Sequence, residues 1–285
     1  MKPGKVIDMH HHVLRQPAEE YADEVARVAE ENNLVKVALM GFEYEGSRVG
    51  KNEDLLACWR RHPDLFVPFA GVDLWRPVRA NLIDELKKEG FCGLKFILPP
   101  KPYHDEGFYP YYERAQELRM PILFHLGIVA RRGILDEVGR MPARVDNNLM
   151  RPIYLDTIAR AFPELQIIGA HLGNPWFEEA AMACRWNPNL YFDLSGSLLK
   201  RKKPDFLADL LWWGGDTYPA YRDPMGRDAW DKIVFGSDVL VGDIPDVMND
   251  YSKVVEGLNL SEETADAIFY RTAAQILRWA GIKCD

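Results

Sequence analysis

Eight short apolar runs alternate with stretches of helical period along this 285-residue chain, and that alternation restricts its fold more than any other feature. The runs are Val6–Met9, Leu34–Met40, Leu65–Val72, Gly93–Leu98, Pro121–His125, Leu165–His171, Leu190–Leu194 and Lys232–Asp238. Near-continuous apolar runs of this length suit strands covered on both faces, as in a parallel sheet. Helical patterns lie between them. Tyr21, Val25 and Val28 form a stripe, and Leu82, Ile83 and Leu86 form another, with Pro77 expected in its first turn and Gly90 at its end. Pro175 is expected to open a helix through Ala180 and Ala183, and a long helix is expected over 261–280. Eight strand–helix units imply a closed (β/α)8 TIM barrel. An open doubly wound sheet is the alternative, but no GxGxxG follows any run. With no repeat or low-complexity linker, residues 1–285 read as a single domain. Two connections, 128–150 and 195–230, are long and leave the C-terminal ends of the fifth and seventh strands, where barrel enzymes carry their sites.

Composition narrows the function classes. Hydrophobic residues make up 47% of the chain and charged ones 27%, which excludes a disordered or collagen-like protein. The net charge of −8 argues against a general nucleic-acid binder. No apolar run approaches the ~20 residues of a membrane span, and no signal-peptide core precedes the first strand. Cys58, Cys92, Cys184 and Cys284 show no CxxC spacing and read as reduced thiols. The expectation is a soluble cytoplasmic protein with neither nucleic-acid nor membrane partners, and a homo-oligomer is compatible with it.

Five of the seven histidines stand at the C-terminal ends of expected strands: His10, His11 and His12 on the first, His125 on the fifth and His171 on the sixth. Asp238 ends the eighth. Strand alternation sends His10 and His12 one way and His11 the other. Two imidazoles from one strand end, a third from across the barrel and a carboxylate compose a nitrogen and oxygen site for a divalent metal. Zinc is the first choice, with manganese, iron or cobalt as substitutes. Each residue alone has a blander reading, as a tag remnant, a core histidine or a helix cap, but those readings would all have to hold on one rim.

With those motifs in place, the sequence resembles the amidohydrolase superfamily, in the amidohydrolase-related branch that also contains aminocarboxymuconate-semialdehyde decarboxylase and several lactonases. The resemblance covers nearly the whole chain. It rests on Ile7–His12, Gly93–Lys95, Pro121–Gly127, Ile168–Gly173 and Phe235–Asp238, with further agreement at Arg151–Pro152, Ala161–Leu165 and Tyr191–Gly196. It implies that His10, His12, His125 and Asp238 bind one divalent metal, that His171 is the acid/base or polarising group, and that Asp238 doubles as proton acceptor. His11 receives no family role and is read as supporting its neighbours. Two departures stand out. Lys95 falls on the strand that in binuclear relatives supplies a carboxylated bridging lysine, yet it lies early in the expected strand, which favours substrate contact or charge balance. Val239 and Leu240 follow Asp238 where many relatives have an aromatic residue and proline.

The loop after the fifth strand carries Arg131, Arg132, Arg140, Arg144 and Arg151 against three carboxylates. Arginine forks suit a carboxylate, so Lys95, Arg144 and Arg151 are the candidate substrate contacts. Trp212, Trp213, Tyr218 and Tyr221 in the later loop could wall a ring. The alternative is that these arginines pair with surface acids. The expected function is a metal-dependent hydrolase that uses metal-activated water on a small carboxylated lactone, ester or amide. Non-oxidative decarboxylation of an unsaturated or aromatic acid is the alternative on the same scaffold, a hydratase a further one, and a barrel that only binds a ligand a third.

Overall fold

The computed structural model describes residues 3–14, 17–44, 49–79, 81–129, 145–214, 221 and 223–284. Eight strands lie in chain order in one parallel sheet: β1 (Val6–His11), β2 (Leu34–Met40), β3 (Phe66–Gly71), β4 (Gly93–Phe96), β5 (Ile122–Phe124), β6 (Ile167–Gly169), β7 (Leu190–Asp193) and β8 (Ile233–Val234). Met9 N–H donates to Phe235 O at 2.9 Å and Asp238 N–H to His10 O at 2.8 Å, which brings the last strand onto the first. The architecture is the expected (β/α)8 barrel, with its long connections after β5 and β7.

Alternation explains why the runs are apolar almost throughout. Ile7, Met9, Ala38, Met40, Val67, Phe69, Leu123, Ile168, Tyr191 and Val234 share one buried cluster. Their strand neighbours Val6, Val37, Leu39, Phe66, Leu94, Phe96, Ile122, Phe124, Ile167, Leu190, Phe192 and Ile233 belong to the second, larger cluster with the helices. Seven of the eight strands therefore contribute to both clusters, the condition that selects a near-continuous apolar sequence.

Several boundaries differ from expectation, each for a local reason. The fourth strand stops at Phe96 rather than Leu98, because Leu98 adopts φ +52° and Pro99 beyond it has no N–H to offer a ladder. Lys95 is thus the penultimate residue of its strand, not an early one. The sixth strand ends at Gly169, and His171 and Leu172 turn into the left-handed region at φ +60° and +45°. The third helix spans Asn81–Glu89, so Pro77 lies ahead of it, while Gly90 (φ +111°) ends it as expected. The C-terminal helix runs over Glu262–Asp266 and Thr272–Trp279 with one π turn, Ala267–Arg271, between them, and packs on β1 and β8.

Candidate metal and acid/base site

At the C-terminal rim six strands, the first and the fourth to eighth, bring polar side chains to the interior. The first strand does this by an irregularity. Ile7 and Met9 belong to the inner cluster, so strict alternation would turn His10 outward. The register with β2 slips instead: Asp8 pairs with Val37 but His11 with Leu39, so β1 holds one extra residue. Such a bulge re-aims the side chains that follow it. The His10 N–H that the slip frees from the ladder donates to Asp8 Oδ1 at 3.0 Å, and the same oxygen accepts Ser237 N–H at 3.0 Å. Asp8 is fully buried; burial pushes its carboxyl up to about 6, against the hydrogen bonds that favour its charge.

His10 and His12 consequently face the interior side, as expected, and His11 faces away. His11 Nδ1 meets Ser237 Oγ at 2.9 Å and its Nε2 meets the Tyr21 hydroxyl at 2.8 Å; Tyr21 donates in turn to His12 O at 2.8 Å. Burial pushes the His11 imidazole down to about 4, so it is a neutral strut under its two neighbours.

The inward imidazoles are each held from behind. His10 Nδ1 lies 2.9 Å from Asp193 Oδ2, and His12 Nδ1 donates to Met40 O at 2.9 Å. Both rings therefore present Nε2, and these atoms stand 3.8 and 3.7 Å from Asp238 Oδ1. Donors sharing a tetrahedral metal at 2.0–2.2 Å sit ~3.4 Å apart, so the three atoms fit one divalent ion after a contraction of a few tenths of an ångström. The His125 ring centroid lies 5.1 Å from that of His171, and its buried Nε2 has no hydrogen-bond partner among the described residues. A buried polar atom without a partner is costly, and a metal is one group that would satisfy it. The donor set therefore suits a divalent ion.

His171 Nε2 lies 3.7 Å from Asp238 Oδ2, and its Nδ1 lies 2.8 Å from Ser195 Oγ. Burial is the largest influence on both His12 and His171 and holds them below the usual imidazole range, neutral near pH 7. Burial pushes His125 down as well, with His171 beside it adding to the effect. For Asp238 burial works toward the acid, but His10, His171, His12 and Lys95 outweigh it and keep the carboxylate charged. Lys95 Nζ stands 3.1 Å from His10 Nε2; burial lowers it to about 8, with Asp238 and Asp193 opposing. His171, Leu172 and Asp238 (φ +48°) are non-glycine residues in the left-handed region. Strain of about 1–3 kcal/mol per such residue persists where surrounding structure over-determines it, and here all three border the cluster.

Five of the expected site residues, His10, His12, Lys95, His171 and Asp238, thus contact one another, with His125 adjacent. Arg151 is placed elsewhere: its guanidinium pairs with Glu179 and lies 5.4 Å over the Trp176 ring. Arg144, with Arg131, Arg132, Arg140 and Tyr218, lies outside the described residues. Trp212 and Tyr221 are exposed, whereas Trp213 is buried. Asp193 and Ser195 escaped the sequence reading as site residues. Asp193 is buried, and His10, His171 and Ser195 hold its carboxylate well below the usual range against the effect of burial. Its signal was available: with Tyr191 inward, Asp193 is the next inward position, at a strand's C-terminal end.

A family model described as Amidohydrolase matches residues 7–279. No curated protein matches the sequence. Among solved structures, an uncharacterised TIM-barrel protein from Bordetella bronchiseptica superposes with a TM-score of 0.69 at 15% identity, covering 98% of this chain and 100% of its own. A probable 2-pyrone-4,6-dicarboxylic acid hydrolase from Acinetobacter baumannii gives 0.63 at 14% identity, covering 96% and 99%. A 5-carboxyvanillate decarboxylase from Novosphingobium aromaticivorans, complexed with manganese, gives 0.62 at 14% identity, covering 97% of each chain. At these identities the likeness is one of fold.

Proposed function

Since the chain belongs to the amidohydrolase family, an enzyme family of metal-dependent type, we propose that it hydrolyses a small carboxylated lactone, ester or amide. The observation that carries the reading is the convergence of His10 Nε2, His12 Nε2 and His171 Nε2 on the two oxygens of Asp238, all within 3.8 Å. His10, His12, His125 and Asp238 would hold one divalent metal, zinc by preference or manganese. When bound, it supplies Lewis-acid polarisation and acidifies water.

The protein's own groups do the rest. His171 is neutral and offers Nε2 as the acceptor for a proton from the attacking water. Asp238, 3.7 Å away, stabilises the imidazolium that results and can accept its proton for delivery to the leaving group. Lys95 places a positive charge beside the cluster, where it can hold a substrate carboxylate; Arg144 is the second candidate for that task. Arg151 would have to share its fork with Glu179. The four free cysteines fit a cytoplasmic setting, and the family match over 7–279 supports one domain over 1–285. Among the described residues no helix is long and apolar enough to cross a membrane.

Decarboxylation of an aromatic or unsaturated acid is the second reading, favoured by the Lys95 ammonium, which can orient a carboxylate at the cluster. The fold neighbours include both a hydrolase and decarboxylases. Zinc-loaded protein is to be assayed in parallel for ring-opening of carboxylated lactones and for CO2 release from hydroxybenzoates. Hydrolysis without CO2 is the expected result, and CO2 without hydrolysis would move the assignment to the lyase. His125→Ala should abolish zinc retention, whereas His171→Ala should retain zinc and lose turnover by 10²–10⁴-fold.

A further inference from the structure

We infer that Asp193, with Ser195 as its extension, is a positioning residue that sets the tautomers of two imidazoles at once. The inference deepens the metal-site reading and rests on it for its functional consequence, but not for its geometry.

The hydrogen-bond polarity follows from counting protons. Ser195 Oγ lies 2.5 Å from Asp193 Oδ1, an oxygen that also accepts His171 N–H and Ser195 N–H at 2.9 Å each. The one hydroxyl proton of Ser195 is committed to the carboxylate. Towards His171 Nδ1, 2.8 Å away, Ser195 Oγ can then only accept, so His171 carries its proton on Nδ1 and leaves Nε2 bare. On the other oxygen, Asp193 Oδ2 accepts from His10 Nδ1 at 2.9 Å. Lys95 confirms the sense of that bond from the far side, since its ammonium can only donate to His10 Nε2. One carboxylate thereby bares Nε2 on two rings from different strands, and both face the Asp238 carboxylate. His10, His171 and Asp193 could otherwise be taken for a second metal-binding trio. Every Asp193 oxygen, however, already has its donors.

The two residues act separably. In Asp193→Asn the amide oxygen must stay where three donors converge, so the amide NH2 takes the place of Oδ2 and faces His10 Nδ1. Donor would meet donor there, so His10 moves its proton to Nε2, the atom offered to the metal, and the Lys95 ammonium, 3.1 Å away, withdraws from it. In Ser195→Ala only His171 loses its acceptor.

The test is imidazole nitrogen NMR on metal-free protein, with zinc affinity measured separately by chelator competition. Wild type should show Nδ1–H for His10 and His171. Asp193→Asn should switch His10 to Nε2–H and weaken zinc binding 10–100-fold. Ser195→Ala should release the His171 tautomer, leave His10 unchanged, and keep zinc affinity within about threefold. An unaltered His10 tautomer in Asp193→Asn, or a His171 still locked in Ser195→Ala, overturns the inference. Ser195→Ala keeps the test open if the asparagine variant does not fold. Tautomers that respond as stated in a wild-type protein that binds no zinc leave the inference standing and sink the metal-site reading instead.

Discussion

A methyl group added at Gly236 should uncouple the site from the barrel. Gly236 sits just beyond β8, between the first and seventh strands. An alanine Cβ there would lie 2.9 Å from His10 Cβ and 3.1 and 3.2 Å from Asp193 Cβ and Cγ. Carbon atoms pack without repulsion at ~3.5–4.0 Å, so each neighbour must retreat by about half an ångström. Neither can do so by changing rotamer, because a Cβ is fixed to its backbone. The retreat works against the 2.9 Å bond between His10 Nδ1 and Asp193 Oδ2. Overpacking of a buried position costs about 1–3 kcal/mol, and partial loss of a charge-assisted hydrogen bond adds to it, for a total of about 3 kcal/mol. Gly236 is outside the left-handed region, so backbone conformation contributes nothing. Urea denaturation should show a lower midpoint with an unchanged m-value, and zinc affinity should fall about tenfold with the displaced ring. Gly242→Ala is the control: no described residue lies within 4 Å of its Cβ position, and it should be neutral or slightly stabilising. A Gly236→Ala protein with wild-type midpoint and wild-type zinc affinity would refute the packing argument.

Two further outcomes are expected. Lys232 is fully buried, donating to Cys184 O and Asn187 O and pairing with Asp223 Oδ2 at 3.3 Å. Lys232→Ala should cost about 3–5 kcal/mol in urea and leave zinc affinity unchanged; a parallel loss of affinity would mean the two regions are coupled. Acid stability should reveal the opposed pair behind the site. His11 falls from 6.5 to about 4 on folding, so between those values the unfolded chain binds the extra proton and stability declines as pH falls. Asp8 rises from 3.8 to about 6, so over most of that window the folded state binds the extra proton and offsets the loss. Asp8→Asn removes the offset: its stability should fall more steeply from pH 6 to 4 than that of wild type, by about 1.4 kcal/mol per pH unit. Parallel profiles would show that Asp8 is ionised throughout.

The barrel itself could be read before folding because its cause is repetitive. Runs such as Leu65–Val72 are apolar at every position and Leu34–Met40 at all but one, and a sheet covered on both faces asks for that. The rim histidines were legible for a similar reason, each standing at the C-terminal end of an apolar run. Strand ends were less so. Lys95 looked early in its strand because Phe96–Leu98 are apolar, yet Leu98 turns to φ +52° and the ladder stops at Phe96. Arg151 looked like a substrate contact by charge alone, and a glutamate brought close by folding took its guanidinium.

Residue types and their period, then, determined the eight strands, the opposition of His11 to His10 and His12, and the gathering of His10, His12, His125, His171 and Asp238 at one rim. Tertiary structure alone decided the phase and the partners. Strict alternation from Ile7 would have sent His10 outward; the extra residue in β1, visible only as a slip against β2, brought it in. Asp193 became the brace for two imidazoles because the barrel places the end of β7 beside both, a distance of 183 residues along the chain for His10. Periodicity is a property of neighbours in sequence. Which nitrogen of a ring faces its ligand is set by a hydrogen bond from another strand, and no local pattern encodes it.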